Sequence, residues 1–152
     1  MIVSVLGAVR HAFAVLLVVL ATRVATAQRQ PGWEVRIPER VEVTLGDAGT
    51  LPIAIAVDRG LVISKDAAVI VDVVAAAGVT VKKARLGRTD AVDPEADAPR
   101  FAVPVRGAVA GEHVIKIRLR LWLCGMRSCR PLDIRRQTTI VVAASQPPAP
   151  AP

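Results

Sequence analysis

The sequence is poor in aromatic residues, with two tryptophans, two phenylalanines and no tyrosine among 152 positions. Proteins that bind single-stranded nucleic acids stack bases on aromatic side chains, and this chain has too few to build such a surface. The formal net charge of +7 therefore does not indicate nucleic-acid binding. An acidic protein partner or an anionic envelope surface fits the positive charge better.

Residues that bind metals are also scarce, since the chain has two cysteines and two histidines. Cys124, Met126 and Cys129 offer soft sulfur ligands of the kind that Cu(I) takes, with His113 as the histidine left after processing. The chain has no C-x-x-C and no His-x-His, and no acid lies in the motif, so we expect no metal and no cofactor. A Cys–His catalytic pair is discarded because strand geometry puts His113 roughly 30 Å from Cys124.

Long apolar runs are absent apart from the ten residues 12–21. Arg10 and His11 precede this run, and the small residues Ala25-Thr26-Ala27 follow it, which is the pattern of a secretory signal peptide. An uncleaved membrane anchor is the alternative, but ten apolar residues fall short of the roughly 20 that span a bilayer. We expect residues 1–27 to be removed after Ala27, leaving a periplasmic or secreted chain with no membrane span.

The mature chain is expected to form one domain over residues 28–145, followed by a proline-rich disordered tail over 146–152. Removing the signal takes away Arg10 and Arg23 and no acid, so the formal charge falls from +7 to +5. The domain is rich in valine and isoleucine and has no helical periodicity. The sequence predicts an all-β fold, an immunoglobulin-like antiparallel β-sandwich of about seven or eight strands.

The individual strands are predicted from alternating or continuous apolar residues between turn signals. They cover residues 41–45, 51–57, 67–75, 79–83, 101–105, 113–123 and 137–142. A polar stretch with acids and prolines, residues 87–99, is predicted to be a loop.

The strand that leads to the first cysteine has the clearest pattern. Every odd position from Ile115 to Leu123 is aliphatic, whereas Lys116, Arg118, Arg120, Trp122 and Cys124 occupy the even positions. Successive side chains of a strand point to opposite faces, so Cys124 is expected on the solvent-side face rather than in the core.

Cys124 and Cys129 are separated by a turn in C-G-M-R-S-C-R-P, and an exported pair with no third cysteine is expected to be disulfide-bonded. One interpretation is a structural disulfide, although so short a ring stabilises by only roughly 2 kcal/mol. The other is a redox pair, because Arg127 and Arg130 flank the turn and positive charge favours the reactive thiolate. Between residues 116 and 136 there are seven bases and one acid.

The stretch from about residue 40 to 142 resembles the amino-terminal periplasmic domain of the DsbD family of thiol:disulfide interchange proteins. The resemblance lies in V-T-L-G-D-A-G-T-L-P-I-A-I-A-V-D-R-G, G-V-T-V-K-K-A-R-L-G, R-F-A-V-P-V before A-G-E-H, and the strand that runs into C-G-M-R-S-C-R-P. It implies an immunoglobulin-like fold in which Cys124 and Cys129 are the exchanging pair. It also implies a thioredoxin-like partner, which must here be supplied by another protein.

Two features depart from that family. The segment that corresponds to the family's cap over the cysteines is 83–87, with Leu86 in place of an aromatic residue and no acid before Asp90. The cysteine spacing is one residue shorter. We therefore expect an exported thiol–disulfide exchange domain, with an alternative from a different class: a non-enzymatic envelope adaptor that binds partners through its basic sheet face and proline-rich tail and keeps the disulfide for stability.

Overall fold

The computed structural model describes residues 32–145, so the predicted signal peptide and the proline-rich tail lie outside the described residues. The described part consists of ten β-strands and one short 3-10 turn at Arg88–Asp90. The strands are β1 (Trp33–Arg36), β2 (Arg40–Thr44), β3 (Ala48–Val57), β4 (Val62–Ile63), β5 (Ile70–Ala75), β6 (Val79–Val81), β7 (Arg85–Gly87), β8 (Arg100–Gly107), β9 (Gly111–Cys124) and β10 (Cys129–Ala143). Within this part, no helix is long and apolar enough to cross a membrane.

The strands form two sheets. The first has the order β1-β3-β8-β6, and the second has the order β2-β10-β9-β5-β7, with β4 paired to the end of β9. All pairs of strands are antiparallel except β2 and β10, which run parallel. The predicted immunoglobulin-like β-sandwich is confirmed. The strands exceed the predicted seven or eight because β1, β4 and β7 were not predicted. β4 and β7, with two and three residues, are too short to show a period, whereas the four residues of β1 do alternate.

The core lies between the sheets and follows from period-2 alternation in the long strands. In β8, Phe101, Val103 and Val105 are buried and the residues between them are exposed. In β9, the aliphatic odd positions are the buried ones, as predicted. They are Ile115, Ile117, Leu119, Leu121 and Leu123. Burial of apolar area on this scale is the main driving force for the fold.

The amino-terminal segment changes sheets between β1 and β2. β1 pairs with β3 in the first sheet, and the chain then crosses at Pro38 so that β2 joins the second sheet, beginning at Arg40 opposite Thr139. The Thr138 hydroxyl donates a hydrogen bond to the Pro38 carbonyl at 2.6 Å and fixes the crossing point. β2 therefore covers only residues 139–143 of β10.

The last strand is longer than predicted. It begins at Cys129 rather than at residue 137, because its polar residues alternate with partly buried ones and continue the pairing with β9. The predicted loop 87–99 is confirmed between β7 and β8, apart from its first residue and the 3-10 turn.

We predict that Leu119→Ala lowers the free energy of unfolding by about 2–5 kcal/mol, because Leu119 is fully buried between Val71 and Ile134 and its truncation leaves a cavity. Val74→Ala, at a position 63% exposed on neighbouring β5, is the control and should change it by no more than about 0.5 kcal/mol. Urea unfolding followed by fluorescence measures both. Equal effects would contradict the assigned core.

Candidate functional site

The two cysteines lie at the tip of the hairpin formed by β9 and β10. Cys124 and Cys129 are direct cross-strand partners and form a disulfide, with their Cα atoms 4.0 Å apart. The Gly125 amide donates a hydrogen bond to the Ser128 carbonyl at 2.9 Å, which closes the turn. The adjacent cysteine pair is therefore a non-hydrogen-bonded pair, in which facing side chains lie closest. The predicted pairing of the two cysteines is confirmed.

The two sulfur-bearing residues differ in exposure. Cys124 is half-buried because Val62 of β4 is its partner on one side and Cys129 on the other. Cys129 is exposed because, among the described residues, no strand pairs with that end of β10 on its far side. Both lie on the outer face of the second sheet, as the alternation in β9 predicts. Cys129 is thus the more accessible end of the disulfide.

Three exposed apolar residues lie next to the cysteines, and we call them the apolar rim: Val62 opposite Cys124, Trp122 two residues before Cys124, and Met126 in the turn, which are 37%, 42% and 99% exposed. Trp122 shares the outer face with Cys124, and the Ser64 amide donates to its carbonyl at 2.9 Å. Met126 lies in the turn itself. Sequence analysis considered Met126 only as a metal ligand and did not identify Val62, because a two-residue strand has no pattern.

Leu86 does not cover the cysteines, which corrects the cap position expected from the family resemblance. It is buried and pairs with Val71, which in turn pairs with Leu119. Leu119 is five residues from Cys124, a distance of roughly 17 Å along a strand. The segment that flanks Cys124 is β4, and Leu86 belongs to the core.

Arg88 holds β4 in place beside the disulfide. Its Nη1 donates to the Pro94 and Ala96 carbonyls at 3.0 and 3.1 Å, and its Nη2 donates to the Ile63 and Ser64 carbonyls at 2.8 and 2.9 Å. Hydrogen bonds from a charged group are stronger than neutral ones, so the loop after β7 and strand β4 are tied together. Sequence reasoning missed this role, because the acceptors are main-chain carbonyls, which no residue type marks.

Arg118 and Arg120, which the alternation places on the outer face with Cys124, both have carboxylate partners. Asp72 accepts from Arg85 at 2.6 Å and from Arg120 at 2.7 Å, and Asp133 accepts from Arg118 Nε at 2.9 Å. The hydrogen bond from Arg85 is the main cause that lowers the pKa of Asp72, and Arg120 lowers it further. The pKa of Asp133 is lowered chiefly by its hydrogen bond from Arg118.

The two arginines predicted to tune the cysteines occupy different places. Arg127 is exposed in the turn between the cysteines. Arg130 follows Cys129 in β10 and pairs with Leu123, so its side chain leaves the opposite face of the sheet from Cys129. Strand alternation therefore directs Arg130 away from the disulfide, whereas Arg127 lies in the turn that joins the two cysteines.

His113 lies at the far end of β9, where its Nε2 is 2.7 Å from the Val109 carbonyl, and it does not approach Cys124, Met126 or Cys129. Within residues 32–145 no group of three His, Cys, Asp or Glu side chains is arranged to hold a metal ion.

The fold and site define a class: an immunoglobulin-like β-sandwich with an exposed cross-strand disulfide at the tip of one sheet. No family model and no curated protein matches the sequence. Among solved structures, domains 4 and 5 of the S-layer protein SbsC superpose with a TM-score of 0.45 and 17% identity over 75% of this chain and 47% of that one. The Escherichia coli alpha-2-macroglobulin fragment from domain MG7 onwards gives 0.45 and 11% over 74% and 17%.

Two smaller structures are similar over most of their own length. Murine CRIg superposes with a TM-score of 0.37 and 8% identity over 75% of this chain and 98% of its own. The fimbrial subunit AggA from Escherichia coli gives 0.37 and 8% over 73% and 95%. All four TM-scores are below 0.5, so these similarities carry no argument about function.

We predict that Asp72→Asn destabilises the domain at pH 7 and that this loss shrinks as the pH falls below about 4. The pKa of Asp72 is lowered in the folded state, so its ion pairs stabilise the fold above the unfolded pKa and are lost as acid protonates it. Urea unfolding at pH 7 and pH 3 measures this. In an Arg85→Gln background the same change should show a weaker pH dependence, and an equal dependence would contradict the assigned pairing.

Proposed function

We propose that this chain is an exported thiol–disulfide exchange domain that relays electrons through Cys124 and Cys129. The observation that carries the proposal is the placement of the disulfide. In immunoglobulin domains the structural disulfide joins the two sheets through the core, whereas this one joins neighbouring strands of one sheet at its exposed tip. Stability does not explain that position, because the core is filled by aliphatic side chains without it.

The accessible end of the disulfide suggests the direction of attack. A thiolate of a thioredoxin-like partner, supplied in trans, attacks Cys129 Sγ, the S–S bond breaks, and its electron pair leaves on Cys124 Sγ, which takes up a proton. The second thiol of the partner then loses its proton and attacks the partner's own sulfur in the mixed disulfide, and Cys129 leaves as a thiolate that takes up a proton. The partner ends as a disulfide and this domain as a dithiol, after transfer of two electrons and two protons. The reverse sequence passes the electrons to an envelope thiol protein.

The apolar rim supports docking of such a partner. Exposed apolar side chains grouped around a reactive bond are a feature of interaction sites, and Trp122 and Met126 are residue types enriched in protein interfaces. The rim offers a partner contact on the outer face and at the turn, beside the exposed Cys129.

A periplasmic or secreted location is part of the proposal. Disulfides persist in oxidising compartments and are rare in the cytosol, and the predicted signal peptide directs the chain there. The acceptor and donor proteins would be found in the same compartment.

The second candidate function is a non-enzymatic envelope adaptor in which the disulfide is structural. A groove of about 680 Å³ on the outer face favours it, lined by the cations Lys116, Arg118 and Arg135 together with Asp72 and exposed Val74. An acidic envelope protein is the kind of partner that such a surface would bind.

We predict that the cysteine pair equilibrates with glutathione at a potential above about −300 mV, the range of exchangeable disulfides. Each single-cysteine variant, charged as a mixed disulfide with thionitrobenzoate, should release it to reduced thioredoxin, with Cys124→Ser, which keeps the exposed Cys129, reacting faster than Cys129→Ser. Absorbance of the released thiol gives both rates. A lower potential together with two inert variants would establish the structural disulfide instead.

We predict that Arg127→Gln raises the pKa of the reacting thiol in the reduced domain and lowers the redox potential, because a cation beside a cysteine favours the thiolate. Arg130→Gln should act in the same direction but less, since Arg130 leaves the opposite face. Arg118→Gln and Arg120→Gln are the controls: both lie in ion pairs and are four or more residues from Cys124, beyond the screening length of about 8 Å.

Thiolate absorbance during a pH titration measures this effect. Unchanged pKa values in all four variants would assign the arginines to solvation or docking rather than to chemistry.

A further inference from the structure

The longest described strand lacks, next to the disulfide, a partner strand on its outer side among residues 32–145. β10 has 15 residues. β9 pairs with it on one side throughout, but on the other side β2 pairs only from Thr139 onwards. Because β1 belongs to the other sheet, no strand among the described residues pairs with the outer side of residues 129–138. We call residues 129–137 the free edge.

Two hydrogen bonds fix which backbone groups of the free edge point outward. Gly125 bonds to Ser128 across the turn, and the Thr139 amide donates to the Glu39 carbonyl at 3.0 Å on the β2 side. The register between β9 and β10 is continuous, so the hydrogen-bonding direction alternates without interruption between these points. The outward-pointing positions are 129, 131, 133, 135 and 137.

The backbone groups at those positions can form hydrogen bonds with an added strand. Pro131 lacks an N–H, and its outward position is where a proline leaves the β9 pairing intact. The amides of Cys129, Asp133, Arg135 and Gln137 remain as outward donors. One outward acceptor, the Arg135 carbonyl, accepts from Arg136 Nη1 at 2.9 Å, a side-chain contact that an incoming strand can displace.

A groove runs along the free edge. It has a volume of about 270 Å³ and is lined by Trp33 from β1 and by residues 131–136 of β10. On the side of the edge that faces the first sheet, alternation produces the row Arg130, Leu132, Ile134, Arg136, with a cation at each end and two apolar residues between them.

We propose that the free edge binds an extended segment of a partner protein by β-strand addition, and that this segment carries acidic side chains six residues apart with apolar residues between them. Charge complementarity is the reason for this partner: the row has an arginine at each end and apolar side chains between them. Main-chain hydrogen bonds would supply the affinity, and the side chains of the row would supply the specificity. The bound segment would end beside Cys129, but its binding does not depend on thiol exchange.

The edge has two alternative roles: pairing with a second copy of the chain, and protection from aggregation. A second copy of the chain would bring the same arginines against each other, and like charges on paired strands are unfavourable. Alternatively, proline and arginine serve only to protect the edge from aggregation. The experiment distinguishes all three.

The probe is the cysteine-free peptide acetyl-Glu-Thr-Val-Thr-Val-Thr-Glu-amide, added to the exported protein in its oxidised form. Amide hydrogen exchange resolved by NMR should show new protection at Asp133 and Arg135, which point outward, and none at the amides of Ile134 and Arg136, which already face β9. Two N-methylated peptides, methylated at the Thr positions or at the Val and Glu positions, serve as backbone controls. Only one side of the peptide backbone faces the edge. Methylation of the amides on that side should abolish binding, and methylation of the amides on the other side should leave binding unchanged.

The charge row is tested with a double variant. Arg130→Gln with Arg136→Gln should weaken peptide binding about two- to tenfold, as expected for two exposed ion pairs, and added salt should weaken wild-type binding similarly. Arg100→Gln with Arg106→Gln is the matched control, because both residues are exposed on β8, inside the other sheet. This control should bind like the wild type.

Three results would overturn the proposal. If the peptide does not slow hydrogen exchange at the Asp133 and Arg135 amides, the proline and arginines of the edge serve only to prevent aggregation. Protection of the same amides on raising the protein concentration without peptide would identify a second copy as the occupant. Equal peptide binding by the two double variants would show that the row does not recognise acidic side chains. Repeating the titration with Cys124→Ser/Cys129→Ser protein separates this outcome from that of thiol exchange, since the peptide has no thiol.

Discussion

The pairing of β9 with β10 is the constraint on which the rest of the structure depends. It runs without a bulge from Cys129 opposite Cys124 to Val142 opposite Gly111. Because side chains alternate, this one register places the aliphatic row of β9 in the core and both cysteines on the outer face. A shift by one residue would bury the arginines and expose the core. Apolar burial therefore fixes the geometry of the disulfide, and the disulfide does not need to fix the fold.

This independence bears on the chemistry. Opening the disulfide removes a ring that stabilises by roughly 2 kcal/mol, against a typical domain stability of about 5–15 kcal/mol. The backbone pairs of the hairpin and the Gly125 to Ser128 hydrogen bond, which closes the turn, do not involve the sulfur atoms. We therefore expect reduction to leave the hairpin paired, which is the first physical requirement of an exchange site.

Sequence analysis predicted what local periodicity encodes, and it missed what pairing between distant segments creates. The alternation from Ile115 to Leu123 gave the core row, the outer position of Cys124 and the fold class, because period 2 is a property of one strand. The contact between Arg120 and Asp72 joins residues 48 positions apart, so no local pattern reveals it. Arg88 was missed for a related reason, since it binds main-chain carbonyls. The position of Leu86 came from a resemblance rather than from its burial, and it was wrong.

The sheet change of the amino-terminal segment determines how much of β10 has a partner strand. Had β1 continued along β10 in the register of β2, Trp33 to Arg36 would pair with residues 132–135 and occupy the middle of the free edge. The chain instead crosses at Pro38, so among residues 32–145 no strand takes up the outward backbone donors of that segment. An exposed edge normally carries a risk of aggregation, and here arginines and Pro131 reduce it. Cationic charge and a missing amide restrict unspecific pairing, and they also restrict which strands can be added. Protection from aggregation and selectivity for a partner therefore follow from the same residues.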